Sequence, residues 1–282
     1  MRPLATLTLV AVLAGGCTGR EEHATPHPEE PGLLHPRYTL TMDDLMRMTA
    51  DLPPGIREGI QADPVTFLSK LDEVLTLWEK DPALFLLVDK SHGLPPDYEP
   101  EDLVPLEGRG LALARPGLML REKVVPDLIR MAEAAREEGV ELVVGSCYRS
   151  YERQAAIYRW EVETYGKEAA DRESARPGHS QHQLGLAVDF SPIEDRFADL
   201  PAGRWLAVHA WEYGFSLSYP EGYEHLTGYR YEPWHFRYLT PQGTALEKEF
   251  FGGIQQYMLE FLNTHREELY ASRKPLAQTG EL

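Results

Sequence analysis

Apolar residues recur along this chain with two different periods, and the change from one to the other sketches its elements. Between Asp63 and Trp78, the residues Phe67, Leu68, Leu71, Val74, Leu75 and Leu77 fall on one helical face. Asp63 supplies a capping side chain and Pro64 a first-turn residue. Thr41 caps another start, so residues 41 to about 88 read as helical. A helix is predicted over 120–138, stopped by Gly139, and another over 151–165, capped by Ser150. Glu141–Ser146, Leu186–Phe190 and His235–Leu239 are short apolar runs that predict strands. Further helices are predicted from Trp205 to Gly214 and over 244–268.

Strands and helices mix without a regular βαβ alternation, and no repeat is present. The pattern predicts an α+β fold: a small antiparallel sheet flanked by helices, with a helical extension before it over 36–84. The main domain is expected over 85–270, with a tail at 271–282.

The first residues obey a different rule. Arg2 is followed by an apolar run from Leu4 to Ala14, too short to span a bilayer, and then by Gly15, Gly16 and Cys17. This reads as a signal peptide over 1–16 and resembles a bacterial lipobox, with Cys17 as the lipidated residue. Two acyl chains there would give the double anchor that stable membrane attachment requires. Residues 17–35 are polar and Pro-rich, a disordered tether. Cys147 is the only other cysteine, so no disulfide framework is expected. The formal net charge of −17 argues against a nucleic-acid partner, because phosphate binding needs clustered Lys and Arg.

Candidate chemistry gathers in two fragments. One holds His182 and Asp189, seven residues apart, and the other holds Glu232 and His235. Two imidazoles and a carboxylate form a three-ligand set for zinc that leaves a fourth position open. A further Glu beside the last ligand is what a metal hydrolase needs as its base. The odd spacing keeps His182 and Asp189 from sharing a face of one unbroken strand. Gly178 and Gly185 instead allow a loop to present His182 while Asp189 projects from the strand that follows. Pro233 likewise keeps Glu232 out of a regular ladder. His179 and His225 read as decoys, His225 in a loop.

The surrounding residues carry a resemblance. SCYRSYERQ (146–154), SARPGHSQHQLGLAVDF (174–190), YGF (213–215) and YEPWHFRY (231–238), with LLVDKSHGLPPDY (86–98) and YMLEFL (257–262), resemble the VanY-type D-alanyl-D-alanine carboxypeptidases and their LD-carboxypeptidase relatives. The likeness runs in order from about residue 85 to 263. It implies Zn²⁺ held by His182, Asp189 and His235, Glu232 as catalytic acid and base, and Arg149 as the group that meets the oxyanion. Ser180, Ser174 and Gln154 are the family-based candidates for gripping the substrate's free carboxylate. Two positions depart from the family pattern: Cys147, where Gly is usual, and Gln181, where Glu is usual.

The expected activity is removal of the terminal D-Ala from peptidoglycan stem peptides, by an enzyme exported to the bacterial cell envelope and held to a membrane by lipid. The alternatives are an LD-carboxypeptidase acting on the tetrapeptide, a peptidoglycan endopeptidase, and a cell-wall-binding lipoprotein without catalysis.

Overall fold

The computed structural model describes residues 32–275. The expected signal peptide, Cys17 and its lipid, most of the tether and residues 276–282 lie outside the described residues. Among the described residues no helix is long and apolar enough to cross a membrane.

The first helices are α1 (Met42–Met48), α2 (Pro54–Ala62) and α3 (Pro64–Lys80). Local hydrogen bonds start two of them. Thr41 and Asp44 form a capping box, and Asp63 accepts from the amide of Thr66 ahead of α3. A 3-10 turn over Pro82–Phe85 follows. Next come β1 (Leu103–Pro105), β2 (Ala112–Leu113), β3 (Met119–Arg121), α4 (Val125–Glu137) and β4 (Val143–Ser146). The helices α5 (Tyr151–Tyr165) and α6 (Lys167–Glu173) lead to β5 (Ala187–Phe190). Then come α7 (Pro201–His209), β6 (Phe215–Leu217), the short α8 (Glu224–Thr227), β7 (His235–Tyr238), α9 (Thr240–Phe250) and α10 (Gln255–Ser272).

Mixed helices and small sheets form an α+β fold. The main sheet has the order β2-β4-β5-β7-β6, antiparallel except for its two-residue edge strand β2, which runs parallel to β4. β1 and β3 form a separate antiparallel ribbon. These edge pieces are too short to leave a periodic signal. The helix expected over 244–268 is two helices, because Gly252 and Gly253 both take positive φ and break the chain between them. His225 lies in α8 and not in a loop.

One apolar core joins the N-terminal helices to the C-terminal pair. Phe67 of α3 meets Phe250 at 5.3 Å and Phe261 at 5.9 Å, ring centre to ring centre. All three are buried.

Alternation along the strands sorts the sheet's two faces. Val188, Phe190, Phe236 and Tyr238 turn one way, with Phe190 and Phe236 packed edge to face at 5.9 Å. Asp189, opposite His235, and Ala187, opposite Arg237, turn the other way. Ser146 of β4 pairs with Asp189 and extends that row. Arg237 is fully buried; its Nη2 donates to the carbonyls of Leu84 and Leu86, tying the chain after α3 to the strand that carries His235.

Candidate metal centre

Backbone register alone sets Asp189 against His235 at the centre of the sheet. His182 reaches them from a 3-10 turn over Gln181–Leu184, capped by the Ser180 hydroxyl oxygen, which accepts from the His182 amide. The turn ends at Gly185, whose left-handed φ of +67° sends the chain into β5. A Cβ there would come within 2.9 Å of Arg121 Cγ. Gly178, at φ +85°, begins the same loop and leaves room for the Leu94 carbonyl.

The donor atoms of His182, Asp189 and His235 lie within 4.8 Å of one another, and all three residues are buried. His182 Nε2 is 3.1 Å from Asp189 Oδ2, and His235 Nδ1 is 3.0 Å from Asp189 Oδ1. The opposite ring nitrogens are engaged behind the cluster. His182 Nδ1 stands 2.7 Å from the Cys147 carbonyl oxygen, and His235 Nε2 stands 3.2 Å from Gln181 Oε1. Cys147 therefore acts through its backbone; its side chain is buried in the core, and burial pushes the thiol well up.

Electrostatics favour ligand states. Burial pushes the His182 imidazole down to about 4, so it is neutral with a free lone pair. Burial acts to raise the Asp189 carboxyl, but His182 and His235 outweigh it and hold the carboxyl far below its usual range. Asp189 Oδ1 is buried and has no hydrogen-bond partner. A buried carboxylate whose two oxygens each face an imidazole nitrogen, one of them without a hydrogen-bond partner, fits a divalent cation of the zinc type, which takes such N and O donors.

Glu232 lies at the start of the turn that leads into β7. Its amide donates to the Tyr219 carbonyl, and the His235 amide donates back to the Glu232 carbonyl. The turn at Pro233 and Trp234 brings Glu232 Oε2 to 3.8 Å from His235 Nδ1. Burial, and then the Asp189 charge, push this carboxyl up to about 8.

These side chains line a cavity of about 210 Å³, with Arg149, Ser174 and Ser180 also in its wall. Arg149 Nη2 lies 3.8 Å from Asp189 Oδ2 and 3.3 Å from Ser146 Oγ. Gln154 stands behind the wall, fully buried: its oxygen accepts from Arg149 Nη1, and its nitrogen donates to Ser174 Oγ and the Ala175 carbonyl. His179 is turned away, with Nδ1 at 2.8 Å from the Asp89 carbonyl oxygen.

Sequence reasoning passed over Glu161, Glu173, Tyr219 and Arg230, which also line the cavity. The signal for Glu161 was present: Gln154, Ile157 and Glu161 follow at helical spacing along α5. Burial raises the Glu161 carboxyl, and its Oε2 is buried without a partner. The Tyr219 ring packs 4.8 Å from the His235 ring. It comes from the segment after β6, and nothing in the local pattern marks it.

Comparison with known proteins gives the chain's relatives. The VanY family model, described as D-alanyl-D-alanine carboxypeptidase, matches residues 117–241. The chain is 32% identical over 260 residues to the putative carboxypeptidase YodJ of Bacillus subtilis (strain 168), covering 90% of this chain and 93% of that one. Among solved structures it resembles the LdcB LD-carboxypeptidase, at 32% identity and a TM-score of 0.57, over 68% of this chain and 87% of that one. It also resembles a vancomycin-resistance D,D-pentapeptidase VanY in complex with Zn(II), at 30% identity and a TM-score of 0.53, over 63% of this chain and 99% of that one.

Proposed function

From a chain that belongs to the VanY-type family of D-alanyl-D-alanine carboxypeptidases, and so is an enzyme of carboxypeptidase type, we infer the finer activity. It is a zinc-dependent D-alanyl-D-alanine carboxypeptidase that trims the terminal D-Ala from peptidoglycan stem peptides. The observation that carries this reading is the buried His182–Asp189–His235 cluster with the buried Glu232 carboxyl 3.8 Å from one of its imidazoles, all lining a single cavity.

His182, Asp189 and His235 would hold the zinc. When bound, it supplies a Lewis acid that makes water nucleophilic near neutral pH. Glu232 takes the proton of the attacking water on its carboxylate and returns it to the departing amine of the terminal residue. Burial raises this carboxyl above its ordinary value, so its carboxylate is a stronger base than that of an exposed glutamate. Arg149 meets the negative charge that develops on the scissile carbonyl oxygen. The hydroxyls of Ser174 and Ser180 donate to the substrate's free carboxylate, while Gln154 holds Arg149 and Ser174 in place. For Ser180 this is compatible with its capping role, which uses the oxygen as acceptor and leaves the proton free.

A second reading, removal of D-Ala from the tetrapeptide, is favoured by the likeness to the LdcB LD-carboxypeptidase. Such substrates place the enzyme in the cell envelope, and the apolar run before Cys17 supports export with lipid attachment at that residue. The test is to incubate the zinc-loaded protein with pentapeptide and tetrapeptide muropeptides and follow loss of one D-Ala by mass spectrometry. Loss from the pentapeptide alone is expected. Loss from the tetrapeptide assigns LD specificity, and loss from neither overturns both readings.

A further inference from the structure

We infer that Gln181 is the positioning residue of the His235 ligand: its side-chain amide, held by a buried hydrogen-bond chain behind the sheet, dictates which imidazole nitrogen faces the cation. This rests on the reading of His182, Asp189 and His235 as zinc ligands.

Gln181 is buried and does not line the cavity, so it acts on the site only through its neighbours. Its Oε1 lies 3.2 Å from His235 Nε2 and also accepts from Ser218 Oγ at 2.8 Å. A carbonyl oxygen can only accept. The imidazole proton must therefore sit on Nε2, which leaves the Nδ1 lone pair pointing at the ligand cluster, 3.0 Å from Asp189 Oδ1.

Partners further back keep the amide from turning over. Gln181 Nε2 faces Gln255 Oε1 at 3.5 Å. Gln255 Nε2 donates to Ser218 Oγ at 3.0 Å and Ser216 Oγ at 3.2 Å, and Ser216 Oγ donates to Glu247 Oε1 at 2.7 Å. Ser218, already accepting from Gln255, must give its own proton to Gln181. Every link is buried and runs in one direction. Reversing the Gln181 amide would set N–H against the Nε2 proton and the Ser218 proton together.

The two histidines thus differ in what fixes them. For His182 the acceptor is the Cys147 backbone carbonyl, which no substitution removes. For His235 it is a side chain. An amide at 181 accepts from two donors and still donates to Gln255. A carboxylate there would keep the acceptor, lose that donor and place a charge beside the imidazole, making it a stronger electron donor to the ion.

The test compares wild type with Gln181→Leu, Gln181→Glu and Ser218→Ala. Zinc affinity and release are read by chelator competition, ligand geometry by the visible spectrum of the cobalt-substituted protein, and turnover separately as kcat and KM. Gln181→Leu, which keeps the volume and removes the acceptor, should weaken zinc binding about 10–100-fold, change the cobalt spectrum and lower kcat with little effect on KM. Gln181→Glu should restore zinc affinity at least to the wild-type level. Ser218→Ala, which frees the amide to rotate, should speed zinc release several-fold, and it carries the test if Gln181→Leu does not fold. Gln181→Leu and Ser218→Ala proteins with wild-type zinc affinity and cobalt spectrum would overturn the inference, as would Gln181→Glu losing zinc as Gln181→Leu does. His182→Ala separates the two failures. If it loses zinc while Gln181→Leu does not, the ligand reading stands and this inference falls; if it binds zinc like wild type, both fall.

Discussion

The helical wall around Phe67 and the polar row on the sheet are equally buried, and burial acts on them in opposite directions. Phe67, Phe250 and Phe261 leave water at a gain, each ring supplying apolar area and edge-to-face contact. His182, Asp189, Glu232 and His235 leave water at a cost, visible in the lowered imidazole of His182 and the raised carboxyl of Glu232. The wall stabilises the fold; the row holds a charge distribution that the proposed zinc would relieve. On the proposed reading, function is concentrated where burial is costly and not where it stabilises.

The sharpest way to separate the regions is to remove a ligand. His235→Ala should abolish zinc retention and D-Ala release together while the protein still folds, checked by metal analysis, turnover and circular dichroism. Full activity in that variant would refute the ligand assignment. Glu232→Gln should keep zinc and lower kcat by about 10²–10⁴-fold, the usual range for a general acid–base group.

Phe67→Ala breaks the comparison from the other side. It should cost about 3–5 kcal/mol in denaturant unfolding, with the zinc affinity of the folded fraction unchanged; a matching loss of zinc affinity would mean that wall and row are coupled. Arg149→Ala should reduce kcat about 10²–10³-fold, in the range of a lost oxyanion donor, with a stability loss of about 1–3 kcal/mol from the buried Gln154 oxygen it leaves unpaired.

A pH-dependent effect on stability belongs to Glu247, a second buried carboxyl, which burial pushes up to about 8. The native state keeps a proton that the unfolded chain gives up near its ordinary value of 4.5. The resulting stability is complete below about 4.5, declines as pH rises and is gone once pH passes about 8. Urea midpoints of the metal-free protein should therefore fall between pH 5 and pH 8.5, and Glu247→Gln should flatten part of that fall. An unchanged slope would mean that Glu247 is ionised in the native state.

By itself the sequence determined whatever depends on neighbours a few residues away. The Ser150 cap and its helix over 151–165, the Asp63–Pro64 start of α3 and the strands carrying Asp189 and His235 are written in local hydrogen bonds and apolar periods. The glycines flanking His182 were legible for the same reason, since positive φ is a local demand. The break at Gly252 and Gly253 was equally local, yet the apolar period on both sides hid it. Tertiary structure alone decided which imidazole nitrogen faces the cluster, because that choice lies with Cys147, 35 residues from His182, and with Gln181, 54 residues from His235. It alone placed Gln154 behind the cavity wall and brought Tyr219 into it. A residue type and its spacing describe what a side chain is able to do. What it does is set by the atoms that folding packs around it, and most of those come from elsewhere in the chain.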